Sequence, residues 1–235
     1  MIPGARLIVL GKQGAGKGTQ CVRLSRHYVI PHIATGDMLR AAVKSGTPLG
    51  QEARRYMDAG ELIPDEVVLR MVGERFDQDV TRERGFVLDG FPRTVNQAER
   101  LDELLEPHEI DCVLNLKVPT QLVLRRLASR RVCVDCGTNY STSDRPRVDW
   151  ICDVCGGEVI QREDDTEAAI KRRLDLYEVQ TKPLISRYRR QGKLVDVNGN
   201  GSPDEVTDRL VRAVDAAKRT AFFDPRRHAA SGEGQ

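Results

Sequence analysis

Short runs of apolar residues alternate along the chain with longer segments in which apolar residues recur every three or four positions. Runs typical of strands cover residues 6–10, 86–88, 112–118 and 194–197, and each precedes a segment with helical spacing. Alternating strands and helices form a parallel sheet that is covered by helices on both faces. The pattern therefore predicts an α/β fold.

Several predicted helices have recognisable start sites. Pro64 and Pro119 suit the first turn of a helix, where the missing N–H of proline costs nothing. The sequence Ser202-Pro203-Asp204-Glu205 combines a capping box with proline at the first helical position. These features predict helices that begin near residues 64, 119 and 203.

Two segments interrupt the alternation and are expected to be insertions into one core. Residues 34–63 have helical spacing that puts Met38, Leu39, Ala42 and Val43 on one face. Residues 130–162 contain two Cys-x-x-Cys pairs and short runs, typical of a small unit of turns and strands held by a metal. The core is then expected to comprise residues 1–33, 64–129 and 163–217, followed by a disordered tail at 218–235.

Composition narrows the function classes without identifying one. The net charge of +2 over 235 residues gives no field that favours nucleic acid or a membrane surface. No apolar run approaches the 18 residues of a membrane span. Six cysteines are too few for a disulfide scaffold. We expect a cytosolic protein whose function must be sought in its motifs.

The most specific motif is GKQGAGKGT at residues 11–19, which follows a predicted strand and opens a helix predicted over residues 19–28. In that context a Gly-x-x-x-x-Gly-Lys sequence forms a phosphate loop, with Lys17 as its cation and Val22 and Leu24 facing inward from the helix. Gly18 stands where a Ser or Thr would usually hold Mg²⁺, and the hydroxyl comes one residue later, at Thr19. Either Thr19 or another group must meet the metal.

Three motifs in order resemble adenylate kinases over about residues 5–216. They are GAGKGTQ at residues 14–20, ATGDMLR at 34–40 and LDGFPRT at 88–94. Gln13 departs from the family, which usually has proline there. The resemblance implies a phosphate-loop core, a nucleoside-monophosphate-binding insertion and a lid, acting as a monomer in the Mg²⁺-dependent reaction ATP + AMP = 2 ADP.

The resemblance also implies roles for individual residues. ATP would contact Gly14, Ala15, Gly16, Lys17, Gly18, Thr19, Arg130, Asn139, Tyr140 and Gly201. AMP would contact Thr35, Arg40, Glu61, Leu62, Ile63, Gly90, Phe91, Pro92, Arg93, Gln97, Arg162 and Arg173. The catalytic group would be Lys17, Arg93, Arg130, Arg162 and Arg173, and Asp89 would orient Mg²⁺ through water.

Arginines on predicted helices have a simpler interpretation, because most basic residues lie on a solvated helix face. This alternative applies to Arg126, which neighbours Arg125, and to the run Lys171-Arg172-Arg173. The four histidines form no cluster in the sequence. None is needed as a general base, since the acceptor is already an anionic phosphate.

Cys133, Cys136, Cys152 and Cys155 have the x₂–x₁₅–x₂ spacing of a structural four-thiolate Zn²⁺ site. Redox disulfides are the alternative, and Fe could replace Zn. The segment resembles the metal-containing lid of many bacterial adenylate kinases. The isolated Cys21 and Cys112 lie in apolar patterns, which favours plain buried thiols.

Two other functions stay open from the sequence. The first is a kinase for another nucleoside monophosphate, against which the resemblance at Thr35 and Gln97 argues. The second is a zinc-ribbon ATPase that depends on nucleic acid, although the cysteine segment has many acidic residues and few aromatic residues to stack on bases.

Overall fold

The computed structural model describes residues 4–59, 61–76, 84–162 and 165–222. Within these ranges the strands are β1 Ala5–Leu10, β2 His32–Ala34, β3 Gly85–Asp89, β4 Cys112–Lys117, β5 Arg130–Cys133, β6 Asn139–Ser141, β7 Val159–Ile160 and β8 Leu194–Asn198. The helices are α1 Lys17–Tyr28, α2 Thr35–Lys44, α3 Pro48–Ala59, α4 Asp65–Phe76, α5 Val95–Leu105, α6 Thr120–Ser129, α7 Glu167–Leu176, α8 Lys182–Arg190 and α9 Pro203–Phe222. A π-helical turn, Tyr177–Thr181, joins α7 to α8.

Five strands form a parallel sheet in the order β2-β3-β1-β4-β8. Alternate side chains of each strand enter separate cores on the two faces of the sheet. Ile8 and Leu88 pack with α4, α5 and α8, whereas Leu7 and Leu114 pack with α1 and α9. Burial on both faces explains why β1, β3 and β4 are nearly continuous apolar runs, and the parallel sheet flanked by helices confirms the predicted α/β class.

The two interruptions of the pattern are structurally distinct from the sheet. The first carries α2 and α3 and packs on the core through the buried side chains of Leu39 and Ala53. The second is a separate antiparallel sheet in the order β6-β5-β7, with a small core of its own that includes Val159. We call these units the insertion and the lid.

Several local predictions agree with the structure. Helix α9 begins at Pro203 with a reciprocal capping box: Ser202 N donates to Glu205 Oε2 at 2.8 Å, and Glu205 N donates to Ser202 Oγ at 3.3 Å. Helix α4 begins directly after Pro64, and Pro119 is the N-cap residue of α6.

Other local predictions need correction. Val22 is 38% exposed, because α1 turns Cys21 and Leu24 toward the core and Val22 away from it. The three-residue strand β2 was not predicted, since it holds a single buried apolar residue, Ile33.

Helix α9 continues to Phe222, so the expected start of the tail at residue 218 lies inside a helix. The remainder of that expected tail, residues 223–235, lies outside the described residues. No helix in the part of the chain that the structure describes is long and apolar enough to cross a membrane.

Candidate active site

A cleft of about 630 Å³ opens at the carboxyl ends of the parallel strands, between the insertion and the lid. In open parallel sheets this edge is where ligands bind. The cleft is large enough for small-molecule ligands, which usually occupy 300–1,000 Å³. Residues of the core, the insertion and the lid all line it.

The loop between β1 and α1 has the geometry of a phosphate loop. Gly14 and Gly16 have φ of 77° and 96°, values that favour glycine, and a Cβ at Gly14 would lie 2.7 Å from Leu127 Cγ of α6. Lys17 begins α1, and its Nζ donates to the carbonyl oxygens of Gly11 at 2.8 Å and Lys12 at 3.0 Å. Burial lowers the pKa of Lys17. Backbone amides at a helix N-terminus and a desolvated ammonium group together make a site for an anion.

A carboxylate lies close to Gly18. A Cβ on Gly18 would lie 3.3 Å from Asp89 Oδ2, which is tight for any larger residue. Asp89 ends β3, next to the loop. Burial opposes its ionisation, but the neighbouring His32 and the charge of Lys17 outweigh that effect and hold the pKa of Asp89 below its usual range. An ionised carboxylate therefore lies where the motif lacks its hydroxyl.

A second group of polar residues lies across the cleft, around the start of α5. Arg93 Nε donates to the carbonyl oxygen of Gly90 at 2.8 Å, and Thr35 Oγ1 donates to the same oxygen at 3.1 Å. Gln97 accepts from Arg93 N at 2.7 Å and donates to Asp65 Oδ1 at 2.6 Å. These bonds hold the buried side chains of Thr35 and Gln97, which line the cleft, and leave each side chain with further hydrogen-bonding capacity.

Arg93 lies among other cations. Burial lowers the pKa of Arg93, and the charges of Arg173 and Arg40 lower it further. Like charges held together in a buried place favour the entry of an anion, since the anion offsets both the repulsion and the desolvation. Three elements far apart in the sequence thus bring together arginines that could bind an anion.

A buried carboxylate holds the arginines at the base of the lid. Asp165, whose side chain has no exposed surface, accepts from Arg130 Nε at 2.7 Å and also from Arg130 Nη2. Arg173 Nη1 lies 3.9 Å from Asp165 Oδ1, and Gln13 Nε2 donates to that oxygen at 3.3 Å. Gln13, where a proline was expected, therefore links the phosphate loop to the arginine network.

Arg126 does not lie on a solvated helix face. Its guanidinium donates to the carbonyl oxygens of Ala15 at 3.2 Å and Gly199 at 3.4 Å, and it lines the cleft. Burial lowers its pKa. The solvated-face interpretation is therefore wrong for Arg126, although it holds for Arg172, whose exposed guanidinium pairs with Glu61 of the insertion.

The four lid cysteines converge on one point. Their sulfur atoms all lie within 4.8 Å of one another, with 3.4 Å between Cys133 and Cys155 and 3.5 Å between Cys136 and Cys152. Burial opposes ionisation of Cys152, but hydrogen bonds from Tyr140 and the Val154 amide outweigh it and lower its pKa to about 6. Four converging thiols of this kind could hold a metal ion.

The lid also touches the insertion across the mouth of the cleft. Lys44 Nζ, at the end of α2, lies 3.1 Å from Asp135 Oδ1 and donates to the carbonyl oxygen of Val134 at 3.3 Å. Both side chains of the ion pair are largely exposed. The lid and the insertion are therefore in direct contact.

Comparison with known proteins agrees with this geometry. The family model described as adenylate kinase matches residues 9–193. An adenylate kinase of Acetivibrio thermocellus is 47% identical over 216 residues, which cover 91% of this chain and 99% of the relative. Adenylate kinases of Thermodesulfovibrio yellowstonii and Clostridium botulinum (strain Loch Maree) are 53% and 51% identical over 204 residues, 86% of this chain and 94% of each relative.

The chain belongs to the adenylate kinase family. Membership agrees with the resemblance stated from the three motifs, and it excludes the zinc-ribbon ATPase considered above. It covers the core, the insertion and the lid, since the family match spans all three.

The structure brings nearly all residues assigned from the adenylate kinase resemblance to the same cleft. Besides those discussed, the residues that line it include Thr19, Glu61, Leu62, Ile63, Pro92, Asn139, Tyr140, Arg162 and Gly201. Phe91 is the exception. Its side chain is 1% exposed and packs in the hydrophobic core instead of lining the cleft, and its assignment to the AMP site stays a prediction.

Two carboxylates that hold side chains lining the cleft were not found from the sequence. Asp65 accepts from Gln97, Thr94 and Asn96, and Asp165 holds Arg130. Asp65 follows Pro64 at a predicted helix start, and Asp165 precedes the N-cap Thr166 of α7. An acidic residue at a helix start usually serves only the helix dipole, so neither position stands out.

Proposed function

We propose that the cleft carries out the adenylate kinase reaction, ATP + AMP = 2 ADP, with the residue roles set out below. The observation that carries the proposal is one cleft that holds a phosphate loop and, opposite it, arginines from the core, the insertion and the base of the lid. Phosphoryl transfer depends mainly on positioning the two nucleotides and on stabilising charge in the transition state. A second anion site is what a kinase for nucleotides needs and a simple ATPase does not.

On the donor side, the amides of residues 14–19 would hold the ATP phosphates, and Lys17 would exchange its loop carbonyl partners for phosphate oxygens. Arg126 is close enough to the loop to support its backbone through Ala15. Asn139, Tyr140 and Gly201 would border the rest of ATP. Arg130 would reach the transferring phosphate from the lid.

On the acceptor side, Arg40 and Arg93 would bind the AMP phosphate, and Arg162 and Arg173 would neutralise the transition state between the two anions. Thr35, Gln97 and the backbone at residues 61–63 would hold adenosine, with Gly90 and Pro92 shaping the loop. The unused donor and acceptor of Gln97 support adenine, because a site that hydrogen-bonds one base leaves polar groups unpaired with another.

The residues present fit Mg²⁺ as a cofactor. Asp89 places an ionised carboxylate beside the phosphate loop. Mg²⁺ prefers oxygen ligands of this kind and usually keeps several bound waters. We propose that Asp89 orients those waters and that Gly18 is required by the space Asp89 takes up. When bound with ATP, the ion would neutralise charge on the phosphate oxygens.

The residues present also fit Zn²⁺ in the lid. Zn–S bonds of about 2.3 Å place tetrahedral sulfur atoms about 3.8 Å apart, close to the 3.4 and 3.5 Å separations here. The ion would hold together a lid whose own core is small. Fe has similar ligand preferences, so elemental analysis of the purified protein is the test.

We further propose that a single chain is sufficient for activity, because core, insertion and lid of one chain line the cleft together. A cytosolic location suits the lid, since a reducing compartment keeps its thiols available for metal.

The decisive experiment is a panel of acceptors. ADP formation from ATP is measured with AMP, CMP, UMP and GMP, each against a sample without acceptor. We expect AMP to lead in kcat/KM by more than about 10²-fold. Equal use of CMP or UMP would contradict the adenine assignment, and ATP hydrolysis without any acceptor would contradict a kinase.

A further inference from the structure

Three side chains that can ligate a metal meet beside the phosphate loop. Cys21 lies on α1, His32 on β2 and Asp89 at the end of β3, and their sulfur, ring nitrogen and carboxylate oxygen atoms lie within 4.8 Å of one another. The three come from separate elements, so the sequence gives no spacing that would reveal them. Cys21 has no role in the reaction proposed above, and His32 enters it only by favouring ionised Asp89.

The imidazole of His32 points to a ligand at this place. Its Nε2 atom is buried, and within the described residues it has no hydrogen-bond partner. The distance from Nε2 to Asp89 Oδ2 is 3.6 Å, which is too long for a hydrogen bond. The nitrogen therefore has an ion-pair contact with Asp89 but no hydrogen bond, and a metal ion between the two groups would satisfy it better.

The separations suit a tetrahedral metal. Bonds of about 2.0–2.3 Å to nitrogen, oxygen and sulfur place ligand atoms about 3.3–3.8 Å apart. The His32–Asp89 distance already lies in that range. Since no pair exceeds 4.8 Å, the sulfur of Cys21 needs to approach by about 1 Å at most.

The donor set selects the class of metal. Thiolate and imidazole favour Zn²⁺ and similar transition metals, whereas Mg²⁺ prefers oxygen ligands only. Three protein ligands leave a fourth position for water. Because one ligand is Asp89, a metal held here would compete with Mg²⁺ for the same carboxylate.

We propose that Cys21, His32 and Asp89 form a second metal site, for Zn²⁺ or a related transition metal, and that metal bound there takes Asp89 away from Mg²⁺ and inhibits the reaction. The claim of inhibition rests on the role of Asp89 in the proposed function. The claim of metal binding rests on the geometry of the three side chains alone.

Binding is tested on protein whose lid is already filled with Zn²⁺ and which has been dialysed to remove weaker metal. Co²⁺ is then added as the probe, because a Co²⁺–thiolate bond gives a charge-transfer absorption that an oxygen or nitrogen ligand does not. We expect one equivalent of Co²⁺ to produce this band in the wild-type protein. Cys21→Ala should abolish the band, and His32→Gln should weaken Co²⁺ binding by more than about 100-fold, since outer-shell partners alone are worth about 10–100-fold.

Cys112→Ala is the matched control. Cys112 is also fully buried and packs in the same hydrophobic cluster as Cys21, but it lies outside the three-residue group. The control should keep the band. A band that survives Cys21→Ala, or a wild-type protein without one, would overturn the site. Activity of Cys21→Ala in Mg²⁺ alone reports that it folds, and Cys21→Ser replaces it if it does not.

Inhibition is tested by adding Zn²⁺ at saturating Mg²⁺ and nucleotide. The wild-type protein and Cys112→Ala should lose at least tenfold in rate as the site fills, and Cys21→Ala should retain its rate over the same range. Zn²⁺ that merely replaces Mg²⁺ on ATP would affect all three equally, and that result would overturn the claim of inhibition. Failure of the proposed function would already be visible as missing activity before any Zn²⁺ is added, and it would leave the Co²⁺ result unaffected.

Discussion

Arg130 and Asp165 form a two-pronged ion pair across the base of the lid. Arg130 begins the first lid strand, and Asp165 lies just beyond the far end of the lid, so the pair joins the two chain segments that connect the lid to the core. The carboxylate has no exposed surface, and the same group lies 3.9 Å from Arg173. Asp165 therefore sets the positions of two arginines that face the transferring phosphate in the proposed mechanism.

Asp165→Asn should lower kcat by about 10²-fold, because small displacements of a positioning group cost that much and Asn cannot balance two buried cations. The KM values for ATP and AMP should change less. Asp175→Asn, at an exposed position on α7, is the matched control and should leave both parameters near wild type. Steady-state kinetics of the two variants decide this prediction, and equal kcat values would contradict it.

Lys17→Met and Arg93→Ala should each lower the rate by on the order of 10³ or more at saturating nucleotide, because each removes a cation from a phosphate in the transition state. Circular dichroism should show an intact fold in both. Arg100→Ala, on the exposed face of α5, is a control for Arg93 and should keep the wild-type rate. Near wild-type turnover in both test variants would contradict the assignment of the cleft as the active site.

The sequence predicted most reliably what depends on local pattern. Strands β1, β3 and β4 are recognisable because burial on both faces makes them nearly continuous apolar runs, and β8, at the sheet edge, is recognisable from Leu194, Val195 and Val197. The glycines of the phosphate loop are recognisable because a left-handed backbone at Gly14 and Gly16 requires that residue type. The capping box at Ser202 is likewise a local feature.

What the sequence missed depends on tertiary contacts. Asp65 and Asp165 look like ordinary acidic residues near helix starts, and only folding surrounds them with partners. The motif also does not show that the side chain of Phe91 enters the core while its neighbours Gly90 and Pro92 line the cleft. His32 forms no sequence cluster, yet a strand of three residues brings it to Asp89.

Removal of metal from the lid should unfold the lid and spare the core. The double variant Cys133→Ser, Cys136→Ser should lose the one tightly bound Zn²⁺ per chain that we expect, because a lid with so small a core depends on metal for its folding free energy. The phosphate loop should still bind nucleotide.

Because the open lid cannot exclude water, the variant should lose kcat or release phosphate to water as slow hydrolysis. Elemental analysis and a kinase assay with a hydrolysis control measure both effects, with Cys112→Ala as the control that keeps the metal. A wild-type protein that is free of metal and fully active would refute this prediction.

The contact between Lys44 and Asp135 should stabilise the closed cleft by a small, measurable amount. Exposed ion pairs contribute about 0.2–1 kcal/mol, so Lys44→Ala should reduce the ratio of closed to open molecules by up to about fivefold. Fluorophores on the insertion and the lid report that ratio by energy transfer. Asp135→Ala removes the ion pair but leaves the hydrogen bond from Lys44 to the Val134 carbonyl oxygen, so its effect should be no larger than that of Lys44→Ala. The double variant should add little to Lys44→Ala. Lys171→Ala, which removes an exposed lysine on α7, controls for loss of charge.

Effects that add fully in the double variant would show that Lys44 and Asp135 do not act through each other. In the wild-type protein, the contribution of the ion pair to the closed state should shrink as the salt concentration is raised.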